Sequence, residues 1–294
     1  MNIKKWIEKN TASLFGKTVA VTGSTGGLGR EICKYLAFLG ADLILLDRNP
    51  EKAAALKQEL NKEYPKTDIL TFTVDLESEE SVISVCEKLE NLPIDFFLHN
   101  AGAYSIPRHK CKTGFDNVFQ INFASPYYII NRLLPTLRER KGKVIVVGSI
   151  AHNYSKSNAY EPDFASKKKA SLVYGNAKRY LMFSLFSLFK NETEVSLTVA
   201  HPGITFTNIT AHYPKLIFAL IKHPMKIIFM KPKSAALSII SAFFTDCRYC
   251  EWIGPRYFNI WGRPKKQKLK TCGQEEIQQI SLSAENILRQ YTLE

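Results

Sequence analysis

The stretch Lys17-Thr18-Val19-Ala20-Val21-Thr22-Gly23-Ser24-Thr25-Gly26-Gly27-Leu28-Gly29-Arg30 decides the fold. Thr18–Thr22 is short, apolar and β-branched, which is how a strand covered on both faces reads. A run of glycines follows, and from Leu28 to Leu39 the spacing of apolar residues is helical. Glycine removes the Cβ that would hold an anion away from backbone amides, and the N-terminal end of the helix is partially positive. Strand, glycine turn and helix in this order seat the pyrophosphate of a dinucleotide. The spacing is Gly23-x3-Gly27-x-Gly29, not the general G-x-G-x-x-G. Glycine-rich turns are common for purely steric reasons, so the weight of this one comes from its place between the first strand and the first helix.

Working outward, apolar runs recur at Leu43–Leu46, Ile69–Val74, Phe96–Leu98, Val144–Val147 and Val195–Ala200. Helical patterns separate them at Pro50–Glu63, Glu79–Glu90, Phe115–Arg140 and Leu172–Lys190. Pro50 after Asn49 fits the first helical position behind an Asn cap. The alternation predicts an α/β fold, a doubly wound Rossmann-type sheet that is mostly parallel with helices on both faces. No repeat or Gly/Ser linker divides the chain. Residues 1–16 read as an extension, 17–263 as one dinucleotide-binding and catalytic domain, and 264–294 as a tail with a helix near Gln274–Gln290.

The 294 residues carry a formal charge of +13, with 45% hydrophobic and 23% charged residues, which describes a globular chain rather than a disordered one. The basic residues are scattered, apart from short clusters such as Lys167-Lys168-Lys169 and Lys265-Lys266-Gln267-Lys268. No nucleic-acid module accompanies them, so solvated surface is the first reading and attraction to an anionic membrane face the second. Cys247-Arg-Tyr-Cys250 has CxxC spacing without a second pair or a His run, and no metal site is expected. The sparse cysteines point to a reducing compartment. No signal-like or membrane-spanning stretch stands out, which gives the expectation of a cytoplasmic protein, at most peripheral to a membrane.

Two places carry candidate chemistry. The second strand runs into Asp47-Arg48. A carboxylate there grips the hydroxyls of an unphosphorylated adenosine ribose, whereas an arginine attracts a 2′-phosphate. The two residues pull in opposite directions, and the strand-end position of Asp47 inclines the reading to NAD without excluding NADP. Further on, Tyr174-Gly-Asn-Ala-Lys178 stacks a phenol and an ammonium on one helix face. An adjacent cation favours the phenolate, so the pair can exchange a proton with an alcohol or carbonyl oxygen. Chance alone supplies about one such spacing in this composition; its location, after the strand that ends Gly148-Ser149, is what matters. Ser149 can hydrogen-bond the reacting oxygen.

In this order the motifs resemble the short-chain dehydrogenase/reductase family over roughly residues 17 to 263, and the chain is similar to its retinol-dehydrogenase-like branch. The resemblance implies catalytic roles for Asn122, Ser149, Tyr174 and Lys178, with Lys178 also on the nicotinamide ribose and Asn122 behind a proton-relaying water. It implies cofactor contacts from Gly23, Thr25, Gly27, Leu28 and Gly29 in the loop and from Asp47 and Arg48. It adds Asp75 and Leu76 beside the adenine, Asn100, Ala101 and Gly102 after the fourth strand, and Pro202, Gly203, Ile204 and Thr207 near the nicotinamide. It further implies a homo-oligomer. His99 stands where the family has an asparagine, and the Ala151–Ala170 insert lengthens the approach to Tyr174.

The expected reaction is hydride transfer between NAD(P) and a secondary alcohol or carbonyl of apolar character, a small-molecule substrate. A non-catalytic dinucleotide-binding sensor is the alternative. Ile209–Met230 reads as an apolar lid, as core or oligomer contact, or, with Lys222, Lys226, Lys231, Lys233, Trp6 and Ile7, as a membrane-surface patch.

Overall fold

A computed structural model describes residues 3–154, 156–158, 160–205, 230–269, 271 and 273–291. Eight strands form one sheet in the order β3-β2-β1-β4-β5-β6-β7-β8. These are β1 Thr18–Thr22, β2 Asp42–Asp47, β3 Ile69–Thr73, β4 Phe96–His99, β5 Lys143–Val147, β6 Ser196–Ala200, β7 Glu251–Tyr257 and β8 Trp261–Lys268. All neighbours pair in parallel except β7 and β8, which form an antiparallel hairpin. The order reverses at β1, and the crevice outside the strand ends at that switch point is where α/β sheets bind ligands.

Alternation along the central strands builds two apolar layers. Val19, Val21, Leu43, Leu45 and Ile145 pack against α2 (Gly27–Phe38), α3 (Pro50–Glu63) and α8 (Pro232–Phe244) on one face. Ala20, Ile44, Leu46, Val144 and Val146 meet α4 (Glu79–Leu89), α6 (Ser125–Glu139), α7 (Ala170–Leu188) and α9 (Gln274–Gln290) on the other. Asn49 caps α3 by accepting from the Lys52 amide, with Pro50 in the first turn, as its sequence predicts.

Four features depart from the sequence reading. The stretch read as one helix from Phe115 to Arg140 starts with a short turn, α5 (Asn117–Phe119), and passes through a π-helical turn, Gln120–Ala124, before α6. The β7–β8 hairpin carries the sheet across residue 263. The N-terminal segment forms a helix, α1 (Ile3–Asn10), whose Ile7 is only 1% exposed; packed inward, Ile7 offers nothing to a membrane surface. Cys33, Cys86, Cys111 and Cys247 are free thiols, but Cys250 is disulfide-bonded, against the reducing compartment that the sparse cysteines predict. Lys222, Lys226 and most of Ile209–Met230 lie outside the described residues. No helix among the described residues is long and apolar enough to cross a membrane.

Candidate active site

A cleft of about 660 Å³ opens at the switch point. Its floor is the loop between β1 and α2. Gly23 has φ +66°, and a Cβ on Gly29 would lie 2.1 Å from the Gly23 carbonyl oxygen, so loop and helix meet at a distance only glycine allows. Gly26 caps α2 without a side-chain hydrogen bond. The first amides of the helix are therefore left for an anion, which fits a dinucleotide pyrophosphate. Thr25, Gly27, Leu28, Asp75, Leu76, Asn100, Ala101, Gly102, Pro202, Gly203 and Ile204, which the sequence reading offers as cofactor contacts, also line the cleft. Thr207 lies outside the described residues.

Asp47 is engaged by the loop itself. Its Oδ1 accepts from the Thr25 amide at 3.0 Å and the Thr25 hydroxyl at 2.7 Å, and Oδ2 accepts from the Ser24 hydroxyl. The carboxylate is buried and holds the phosphate loop closed from below. Arg48 leaves 71% of its side chain exposed at the rim, 3.6 Å from Glu77, which also meets His109 at 3.0 Å. Asn49 and Lys52 line the cleft beside it.

His99, the departure from the family pattern, is fully buried. The Thr22 hydroxyl accepts from the Asn100 and Ala101 amides, each at 3.1 Å, and sits 3.0 Å from His99 Nδ1. With its lone pairs taken, Thr22 donates its proton to Nδ1, so the imidazole is neutral with its hydrogen on Nε2. Burial, and then the Lys178 charge, hold His99 well below the ordinary histidine range.

The reacting end gathers residues from three elements. Ser149 ends the β5 segment and caps a 3₁₀ turn, Ile150–Asn153. Tyr174 and Lys178 come from the first half of α7. Asn122 comes from the π-helical turn, a feature frequent at functional sites. The Tyr174 hydroxyl shares a hydrogen bond with Ser149, and Tyr104 meets its ring edge-on at 5.3 Å. Burial pushes the phenol up to about 12, against the Ser149 hydrogen bond that lowers it. Lys178 Nζ lies 5.9 Å from the Tyr174 ring centre, donates to the Val147 carbonyl at 3.2 Å, and is lowered to about 8 by burial. Asn122 Nδ2 donates to the Ala103 and Val118 carbonyls, both at 2.8 Å. Its Oδ1 is buried with no partner among the described residues, beside Gly102, where a Cβ would lie 2.8 Å from Oδ1 and 3.5 Å from Lys178 Nζ. An acceptor thus stands ready for a relay group on the lysine side.

Behind these residues lies a network that the sequence does not announce. His152 Nδ1 is 2.6 Å from the Ser149 carbonyl, and Nε2 is 3.0 Å from the Thr271 hydroxyl. Arg179, next to Lys178, donates to the His152 carbonyl at 2.8 Å and grips Glu276 of α9 with two nitrogens. Ser157 in the insert donates its amide and hydroxyl to the same carboxylate, both at 2.9 Å. The insert is thereby tied to the C-terminal helix. His201, directly before Pro202, stacks on Trp252 with ring centres 5.2 Å apart and places Nδ1 3.3 Å from the Gly148 carbonyl. Its position before the Pro-Gly pair and lining the cleft is the one signal that could have marked it.

With the loop, the cleft and the Ser-Tyr-Lys cluster in place, the class is defined: residues 17–215 match the short chain dehydrogenase family, and the chain belongs to it. An uncharacterized oxidoreductase of Schizosaccharomyces pombe is 30% identical over 82% of this chain and 76% of its own. Mouse retinol dehydrogenase 14 is 29% identical over 90% and 82% respectively, and human polyprenol dehydrogenase 24% over 90% and 82%. The crystal structure of an uncharacterized protein from Mycobacterium paratuberculosis superimposes with TM-score 0.78 over 96% of both chains at 21% identity. A Pseudomonas aeruginosa RhlG/NADP complex gives TM-score 0.60 at 24% identity, over 80% of this chain and 91% of that one. The protein is a family oxidoreductase of the NAD(P)-binding kind.

Proposed function

We propose that the protein transfers hydride between NADP(H) and a secondary alcohol or carbonyl on an apolar substrate, with Tyr174 as acid/base. The observation that carries this reading is the cluster of Ser149, Tyr174 and Lys178 on the cleft wall, with buried Asn122 Oδ1 and Lys178 Nζ both against Gly102, an arrangement that dinucleotide binding alone does not require. The bound nicotinamide supplies or accepts the hydride. Ser149 holds the substrate oxygen against the Tyr174 hydroxyl, which gives up its proton as a carbonyl is reduced and takes one as an alcohol is oxidised. With its phenol pushed up by burial, Tyr174 is protonated at neutral pH and set for donation. Charged Lys178 favours the phenolate that donation leaves, and Asn122 Oδ1 anchors the path by which the proton is restored.

Two features support the finer assignments. Asp47 is engaged by Ser24 and Thr25 rather than free to grip ribose hydroxyls, while Arg48 and Lys52 put positive charge at the rim, an arrangement that favours a 2′-phosphate over the NAD to which the sequence alone inclines. Ala103, Tyr104, Ile150, Tyr154 and Ile204 give the substrate end an apolar and aromatic lining. Mouse retinol dehydrogenase 14 and human polyprenol dehydrogenase are named for alcohols of that character. Titration with NADH and NADPH, followed by turnover on matched apolar and short polar alcohols and ketones, tests the proposal. Tighter NADPH binding with faster turnover of the apolar series is expected. Equal affinity for both cofactors, or preference for the polar series, overturns the corresponding part.

A further inference from the structure

The β7–β8 hairpin is the last part of the sheet, and its composition differs from the rest of the chain. From Trp252 to Gln274 there is no acidic residue. Arg256, Arg263, Lys265 and Lys268 are exposed, and none forms an ion pair with the described residues. Two carboxylates flanking β7 are already engaged, Glu251 by Lys266 at 3.7 Å and Asp246 by Lys143 at 3.0 Å. Lysines on an edge strand have an ordinary explanation, since they keep other strands from adding to the sheet. That explanation does not reach the hairpin tip. There Phe258 is 82% exposed, with Tyr257 and Trp261 also open to solvent, and the Phe258 and Trp261 rings lie 6.4 Å apart. Phe258 and Asn259 both have positive φ, 51° and 57°. A hairpin turn of this shape suits Asn and Gly, so a phenylalanine is held outward where its side chain makes the turn harder to form.

The tip also has a fixed relation to the cleft. The Ile204 amide donates to the Ile260 carbonyl at 3.4 Å. Gly203 has φ +85°, and a Cβ there would lie 2.5 Å from the same oxygen. The hairpin tip is therefore seated against the Pro202-Gly203-Ile204 wall.

We propose that this hairpin docks the protein on an anionic lipid surface, with Phe258 and Trp261 entering the interface and Arg256, Arg263, Lys265 and Lys268 meeting the headgroups. Charge complementarity selects this occupant: unpaired cations flank exposed aromatic rings, the combination by which peripheral elements bind anionic bilayers. The docked orientation turns the Pro202-Gly203 wall of the cleft toward the membrane, from which an apolar substrate comes. The docking does not depend on the redox reading, because it is measured without turnover.

The test is co-sedimentation of the full chain with phosphatidylcholine vesicles, with and without about one-third phosphatidylserine, at low and high salt. The expected result is binding to the phosphatidylserine vesicles at low salt, reduced at least tenfold on phosphatidylcholine alone and at high salt. Each cation removed weakens partitioning about fivefold. The Lys265→Glu/Lys268→Glu variant therefore loses binding, and Phe258→Ser/Trp261→Ser loses about tenfold. Unchanged circular dichroism and NADPH affinity show that the variants are folded; if either double variant is not, Lys268→Gln and Phe258→Ser singly, with their smaller losses, take its place. No sedimentation of the native protein with anionic vesicles overturns the proposal. So does wild-type binding by either folded variant, or binding to heparin that accounts for all the affinity and ignores the aromatic substitutions, which marks a plain polyanion surface.

Discussion

Replacing Glu276 by Gln gives a perturbation whose size follows from the structure. Burial works to raise this carboxyl, but the Arg179 hydrogen bonds, the Ser157 amide and the Arg179 charge hold it at about 2, against an ordinary 4.5. At about 1.36 kcal/mol per pH unit this corresponds to roughly 3 kcal/mol. The side chain is 20% exposed, and solvent screening reduces the figure to about 2 kcal/mol. The helix itself remains docked, because Ile277, Ile280 and Ile287 are all buried at about 1.5–3 kcal/mol each. The variant therefore folds and loses about 2 kcal/mol, or about 4 °C in Tm, at pH 7. The sign of the pH dependence is fixed. A carboxyl lowered by folding stabilises fully above about pH 4.5 and loses that contribution as the pH falls toward 2. Urea unfolding of both proteins at pH 7 and pH 3 should show the gap shrinking to less than half. A gap of the same size at both pH values, or none at pH 7, refutes the assignment of Glu276 as the charged partner of Arg179.

Other consequences follow from the same geometry. Gly29→Ala places a Cβ 2.1 Å from the Gly23 carbonyl and should remove measurable NAD(P)H binding by fluorescence titration while the protein still melts cooperatively; retained affinity would contradict the loop assignment. Arg48→Ala should weaken NADPH about 10- to 100-fold, as loss of a hydrogen bond to a charged group does, and leave NADH within twofold. Equal losses for both would take the 2′-phosphate away from Arg48. The kcat/KM for carbonyl reduction should fall above about pH 8, where Lys178 loses its proton, because the charge that stabilises the phenolate goes with it; a flat profile to pH 9.5 would mean that Lys178 stays charged or acts otherwise.

The parts of the fold that were legible in the sequence are those where one local pattern has one physical reading. β1, β2, β4 and β5 are buried along nearly their whole length and therefore read as apolar runs, and the glycines mark where the backbone must approach an anion or itself. The proposed set of Ser149, Tyr174 and Lys178 was legible because these residues sit at strand and helix positions that the alternation already located. The β7–β8 hairpin was missed because an edge strand such as Trp261–Lys268, half exposed and rich in lysine, has no burial pattern to display. The π-helical turn at Asn122 was hidden because a single extra residue barely alters helical periodicity. Asp47 shows the limit most clearly. Sequence places a carboxylate at the strand end, but which donors claim it depends on how Ser24 and Thr25 fold back. Arg179 and Glu276 are 97 residues apart, and no local rule joins them.

The central claim is that Tyr174 moves the proton. Tyr174→Phe removes the hydroxyl and keeps the ring packed on Tyr104, so steady-state turnover measured beside NADPH affinity separates chemistry from binding. Turnover should fall by about 10²- to 10⁴-fold, the usual worth of a positioned acid/base, with the NADPH Kd unchanged within twofold. Turnover within tenfold of the native enzyme would contradict it.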